Sequence, residues 1–250
     1  MRHSPRSLLL PWICVLAACA APTSRPSSAA TAPRVAVADV APELAARLES
    51  LANSVELRRH ALHLPGLALA IVQDDRLIFA RGFGLADVEQ GTPVTPESIF
   101  AIGSTSKAFT ATLVAQLADE KKLAFDDPVT KALPWFVLPI QEQKNEHGPV
   151  NLRDLLSHRT GFSRMDVLWY GGGASAEQVL RTALGAEPVA PFRAQFHYNN
   201  VMLLAAGAAC AAVTGESWET LVRERFFEPL GMHDTTTSVR EAQEDPRLAL

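Results

Sequence analysis

The stretch "YNNVMLLAAGAACAAVTG", residues 198–215, constrains the fold more than any other part of the chain. Asparagine, a good helix cap, precedes thirteen uncharged and mostly apolar residues, 201–213, and a glycine stop follows. A bilayer span needs about 20 such residues, so this run is too short to cross one. A helix that is apolar all the way round must then be buried on every side. The rest of the chain has to supply the elements that wrap it.

Those elements are legible in the pattern. Leu44, Leu48, Leu51 and Val55 share one face of a helix predicted to begin at Pro42. Two apolar runs, 67–72 and 77–83, flank Gln-Asp-Asp-Arg and predict a β-hairpin. Phe109, Leu113, Val114 and Leu117 place a helix over 106–122, with Lys121 and Lys122 at its electronegative end. "NLRDLLSHRTGF" predicts a short helix and a glycine-containing turn, and 176–184 a further helix. Ser217 caps "WETLVRERFF", which stops at Glu228-Pro229. The class is α+β. One hairpin cannot cover so many helices, however, and no good strand candidate follows Thr237.

The amino terminus reads differently. "MRHSPRSLLLPWICVLAAC" begins with Arg2 and Arg6, runs through a short apolar segment and closes on Leu16-Ala17-Ala18-Cys19. That is the layout of a secretory signal. Its end resembles the bacterial lipobox, which implies cleavage before Cys19 and acylation of that cysteine. The alternative is a plain signal peptide cut near Ala21. Residues 20–42 are rich in Ala, Ser, Pro and Thr and lack periodicity, as in a flexible tether. The expected division is a signal over 1–18, a lipidated Cys19 with its tether over 19–42, and a folded unit over 43–250. The expected location is the bacterial cell envelope, facing the periplasm and membrane-bound through Cys19.

Export favours disulfides, yet the cysteines do not allow an intramolecular one. Cys14 leaves with the signal, Cys19 carries lipid, and Cys210 remains alone inside the apolar run. A net charge of −4 without long runs of either sign excludes nucleic acid and anionic membrane surfaces as expected partners. His60 and His63 stand three apart on a helix without a third ligand nearby, so a solvated helix end is the better reading than a metal site. G-x-S-x-G is absent, as is H-E-x-x-H, which argues against an α/β-hydrolase and a zinc hydrolase.

The chemistry then rests on Ser104-Thr-Ser-Lys107. On a helical turn, residues three apart lie on one face, so the Lys107 amine can approach the Ser104 hydroxyl. A serine hydroxyl is a poor nucleophile until a base accepts its proton. An amine can do so where burial or a helix dipole disfavours its charged form, and first-turn N–H groups suit a developing oxyanion. With fifteen serines and five lysines in 250 positions, chance supplies about 0.3 such pairs. On the tetrad alone, Ser104 or Ser106 as a helix cap beside an exposed Lys107 is the better reading.

The surrounding blocks decide between these readings. "IGSTSKAFTATLVAQL", "LAFDDPVTKALP", "NLRDLLSHRTGF", "FHYNNVMLLAAG" and "FFEPLGMHDT" occur in that order. Together they resemble the serine β-lactamase-related family of class C β-lactamases, D-alanyl-D-alanine carboxypeptidases and esterases of that fold. The resemblance implies an antiparallel sheet flanked by helices, with a helical lobe. It implies Ser104 as the acylated nucleophile and Lys107 as its partner. Tyr198 and Asn200 match the Tyr-x-Asn element, the tyrosine shuttling protons and the asparagine holding the substrate amide or the lysine. His158 is expected to be structural, His197 a loop residue, and Tyr170 without a catalytic role. The expected activity is serine hydrolysis of an ester, a D-Ala-D-Ala-type peptide or a β-lactam, with ester or peptide favoured and no cofactor. The family's late Lys-Thr-Gly or His-x-Gly element is not found before Leu250, nor are the strands around it. Residues 43–250 therefore read as the N-terminal part of such a domain. A non-catalytic binding or scaffold protein with this fold is the alternative.

Overall fold

The computed structural model describes residues 37–140, 148–170 and 172–250. At its centre is the apolar run, which forms helix α6 (Asn200–Thr214). Its cap is Asn199, whose side-chain oxygen accepts from the N–H groups of Val201 and Met202 at 2.9 and 3.2 Å. It ends at Gly215, whose φ of 81° is the left-handed conformation that glycine takes without strain. Val201, Met202, Ala205, Ala206, Ala209 and Cys210 are fully buried.

The wrapping is done by helices from both sides in sequence. A 3₁₀ turn (Gly103–Ser106) leads into α2 (Lys107–Asp119), followed by α3 (Val129–Ala132), α4 (Leu152–Leu156), α5 (Ala176–Ala183) and α7 (Trp218–Val222). All five α-helices pack on α6. Fully burying a Leu or Met such as Leu113, Leu117, Leu155 or Met202 is worth about 1.5–3 kcal/mol. At Gly207 the approach is tight, since a Cβ there would lie 3.0 Å from the Trp218 indole. That indole N–H donates to Thr110 of α2 at 3.1 Å. The chain continues from α7 through one π-helical turn (Arg223–Phe227), which sets Phe226 and Phe227 edge-on to Phe109, with ring centroids 5.3 and 5.8 Å apart.

Helix α2 stops three residues earlier than its charge pattern predicts. Lys121 takes a φ of 60° and the Lys122 N–H donates back to Leu117 at 2.9 Å. This is a Schellman closure with lysine at the position glycine usually fills.

The hairpin forms where its pattern places it. β1 (Gly66–Gln73) pairs antiparallel with β2 (Arg76–Asp87), and β3 (Thr92–Pro93) adds to the other edge of β2. Asp74 and Asp75 have φ of 50° and 57°, so the loop is the two-residue type whose twist matches that of the strands. One face carries Phe79 and Phe83, buried against Leu48 and Ala52 of α1 (Pro42–Ala61). Val40 packs on the same cluster and the Ala38 N–H donates to Leu77 at 2.8 Å, so the packed body takes in residues just ahead of α1. Ala68, Ala70 and Val72 of β1 are exposed.

After Thr237 the structure shows more order than the sequence pattern suggests. α8 (Val239–Glu244) is followed by a return of the chain to Ile99, whose N–H donates to Arg247 and whose carbonyl accepts from Ala249, at 2.8 and 2.9 Å. Arg247 bridges Asp234 and Asp245 at 2.9 and 2.7 Å, which folds the segment back. Hydrophobic periodicity cannot reveal a bridge this short. The whole is an α+β fold with a three-stranded antiparallel sheet and a helical lobe.

Candidate active site

The turn into α2 carries the first two groups. Gly103, at a φ of 51°, opens the 3₁₀ turn and leaves Ser104, its second residue, exposed to solvent. Ser106 immediately precedes α2, yet its hydroxyl makes no capping bond. Ser104 does not cap a helix either. Its Oγ accepts from Lys107 Nζ at 3.0 Å, the contact that spacing of three allows. The N–H of Thr105 is already engaged, donating to Ile102 at 3.1 Å.

The third group arrives from the start of α6. The Tyr198 hydroxyl shares a short hydrogen bond with Ser104 Oγ, across 94 residues of sequence. Lys107 Nζ also lies 4.7 Å from the centre of the tyrosine ring. The hydrogen bonds to Lys107 and Ser104 lower the phenol pKa, burial opposes them, and the charges of Lys107 and Arg164 add to the lowering. The arrangement is a hydroxyl held between an ammonium and an acidified phenol.

Beneath these groups is a buried polar floor; an asparagine cap and a structural His158 are expected from the sequence, but their contact with each other is not. Asn199 is fully buried and uses its side-chain oxygen, its side-chain NH2 and its backbone N–H. Besides capping α6, its NH2 donates to the Ser163 carbonyl at 2.7 Å and its backbone N–H to His158 Nδ1 at 3.1 Å. His158 has a φ of 59° and its carbonyl accepts from the His197 N–H at 2.8 Å. Its ring lies 4.7 Å from that of Tyr198, and Phe196 stands edge-on at 5.2 Å. Burial first, and then the charge of Lys107, lower the pKa of His158. With Nδ1 accepting, the neutral ring carries its proton on Nε2.

The loop that delivers Tyr198 is pinned a second time by Arg193, which grips the buried Asp154 of α4 through Nε and Nη2, both at 2.8 Å. Asp154 also completes a capping box with Asn151. Gly161, at a φ of 84°, lets the same loop pass so closely that a Cβ there would lie 2.3 Å from the Ala190 carbonyl.

Of the residues singled out from sequence, Ser104, Lys107 and Tyr198 are brought together. Asn200 is not part of that contact. Its side-chain NH2 donates to Asp166 Oδ1 at 2.8 Å, and the implied bond to Lys107 is not formed. The reason is position, because Asn200 is the first residue of α6 and Asp166 lies in a 3₁₀ turn close to it. Cys19, with the whole of the signal and most of the tether, lies outside the described residues. Cys210 is buried in α6, and burial pushes its thiol up to about 12, which leaves it inert. Among the described residues, no cluster of His, Cys, Asp and Glu could hold a metal ion. A doubled asparagine, Asn199-Asn200, was the available sign of a cap distinct from the Tyr-x-Asn residue. Arg164 and Asp166 sit in a loop without any pattern.

Comparison with known proteins places this geometry. The family described as beta-lactamase matches residues 49–250. The chain is 34% identical to an unguisins hydrolase of Aspergillus campestris over 72% of its own length and 35% of that protein's. It is 29% identical to the teichoic acid D-alanine hydrolase of Staphylococcus aureus over 67% of its length and 40% of that protein's. The chain therefore spans well under half the length of these curated relatives. In structure it resembles the octameric penicillin-binding protein homologue from Pyrococcus abyssi, with a TM-score of 0.66, 30% identity, and coverage of 82% of this chain and 47% of that one.

Proposed function

The chain belongs to the beta-lactamase family, and from that premise we propose that it is a serine hydrolase working through an acyl-enzyme at Ser104. The observation that carries this reading is the Ser104 oxygen bonded at once to Lys107 and Tyr198. In its phenolate form Tyr198 takes the Ser104 proton while Oγ attacks the substrate carbonyl. The phenol then gives that proton to the leaving oxygen or nitrogen as the carbonyl–leaving-group bond breaks. A water molecule repeats the cycle in reverse and frees the serine. Lys107 stays positive beside the phenolate and lowers the cost of its charge. Asn200 holds the Tyr198 loop through Asp166 in the resting state.

The substrate class favoured is an ester or a D-alanyl peptide rather than a β-lactam. Support comes from a relative named as a teichoic acid D-alanine hydrolase. An envelope substrate also suits export and lipid anchoring at Cys19, which the signal-like sequence over 1–18 supports. The test is covalent labelling with a serine-reactive fluorophosphonate. Ser104→Ala is expected to abolish labelling of the folded protein. Undiminished labelling of that variant overturns the assignment, and an unlabelled, folded wild type moves the reading to a non-catalytic binding protein.

A further inference from the structure

Arg164 lies on the loop after α4, and nothing in the Ser-Lys-Tyr chemistry above requires it. Its guanidinium carbon is 5.3 Å from the centre of the Tyr198 ring. It is not a freely moving surface arginine in this position. Nε and Nη2 both donate to Asp166 Oδ2, at 2.8 and 2.5 Å. The other oxygen of that carboxylate accepts from Asn200, two residues beyond Tyr198. The residue before Arg164 is tied as well, since the Ser163 carbonyl accepts from Asn199. A closed ring of contacts results, from Tyr198 along the chain to Asn200, across to Asp166 and Arg164, and back to the tyrosine ring.

We propose that Arg164, clamped by Asp166 and Asn200, is a positioning residue that sets the ionisation of Tyr198 and hence its readiness to accept the Ser104 proton. The idea rests on the serine-hydrolase reading for its purpose, though its physical content concerns Tyr198 alone.

The charges around the phenol fix the sign. Lys107 approaches from α2 and Arg164 from the loop after α4, and both favour the phenolate. His158 faces the ring from the end of α4 and is held toward its neutral form by burial, so it adds no competing charge near neutral pH. Ser104 contributes a hydrogen bond only. Asp166 is the sole carboxylate in the ring of contacts. Burial raises its pKa, but the hydrogen bonds from Asn200 and Arg164 outweigh that and keep it ionised. Its oxygens bond to Arg164 and Asn200, and the guanidinium is the group of this cluster that reaches the tyrosine ring.

The decisive experiment reads the phenol directly and needs no substrate. The chain holds two tyrosines, so a Tyr170→Phe background leaves Tyr198 as its single phenol. Ultraviolet phenolate absorbance against pH then titrates Tyr198, with circular dichroism confirming the fold across the range. Arg164→Met is expected to move the midpoint upward by about half a pH unit, the size of a unit charge a few ångströms away across solvated space. Arg164→Lys keeps the charge and should shift it less. Asp166→Asn takes away a negative charge, which alone would lower the midpoint, and also frees the arginine, which raises it, so the midpoint is expected not to fall. An unchanged midpoint in Arg164→Met, or a lowered one in Asp166→Asn, overturns the proposal. Loss of Ser104 labelling would instead bear on the hydrolase reading, so the two failures stay distinguishable.

Discussion

Tyr198 and Asn199 are neighbours in sequence with opposite surroundings. Asn199 is fully buried, and its side-chain oxygen, side-chain NH2 and backbone N–H are held by α6, Ser163 and His158. Tyr198 is half-buried and spends its hydroxyl on Ser104, 94 residues away in the sequence. The contrast extends outward from this pair. Asn199, His158 and the Asp154–Arg193 pair form a rigid floor, while Ser104, Lys107 and Tyr198 stand on it within reach of solvent. The floor determines where the phenol is, and the exposed groups determine what it does. Variants of the upper layer should therefore change rates without changing stability, and variants of the floor should do the reverse first.

The largest effect should come from the upper layer. Tyr198→Phe removes the proton acceptor and keeps the ring over His158. Acylation of Ser104 by an activated ester should slow by about 10²–10⁴-fold. Unfolding in urea should change by no more than about 0.5 kcal/mol. A comparable loss of stability would erase the distinction between the layers.

The floor comes next. Asp154→Ala strips the partner from Arg193 and half of the α4 capping box, which should cost about 3–5 kcal/mol in urea unfolding. A cost under 1 kcal/mol would mean that the pair does not pin the loop. Asn199→Ala removes the α6 cap and orphans the Ser163 carbonyl, for an expected loss of about 2 kcal/mol. Acylation should weaken in that variant only as far as Tyr198 is displaced.

The smallest effect is a pH dependence. The folded pKa of His158 lies below its ordinary value of 6.5, because burial and Lys107 disfavour the charged ring. The unfolded imidazole therefore binds a proton more readily than the folded one. The stability contribution of this group is full above the unfolded pKa and is lost as pH falls below it toward the folded value. His158→Asn keeps an acceptor near the Nδ1 position and suits a positive φ. Its unfolding curves between pH 7 and 5 should lose part of the acid slope. An unaltered slope would place the acid sensitivity elsewhere.

How far the sequence revealed these layers depends on the kind of signal each element carries. The α2 stripe of Leu113, Val114 and Leu117 and the hairpin form as their periodicity requires, and the uninterrupted apolar run forms the buried helix α6, because burial enforces both patterns. The end of α2 was missed because the stop is made by Lys121 in a left-handed conformation, a place where glycine gives the usual warning. Ser104, Lys107 and Tyr198 were legible only through the surrounding blocks and the family resemblance, since the spacing of Ser104 and Lys107 does not decide alone. The contacts of the floor were not. His158 touching Asn199 and Tyr198 is a contact between residues some forty positions apart, and single-residue patterns hold no record of such pairs. Asn200 is where the motif places it, and its amide is bonded to Asp166 rather than to Lys107, one of the two partners the resemblance implies.

The most direct measurement is the location of the acyl group. The folded chain is mixed with an activated D-alanyl ester, quenched in acid, digested and mapped by mass spectrometry. The expected result is one acyl mass on the peptide containing Ser104, absent from Ser104→Ala and scarce in Tyr198→Phe. An acyl group on another residue, or none on a chain that circular dichroism shows to be folded, would contradict a nucleophile at Ser104 activated by Lys107 and Tyr198.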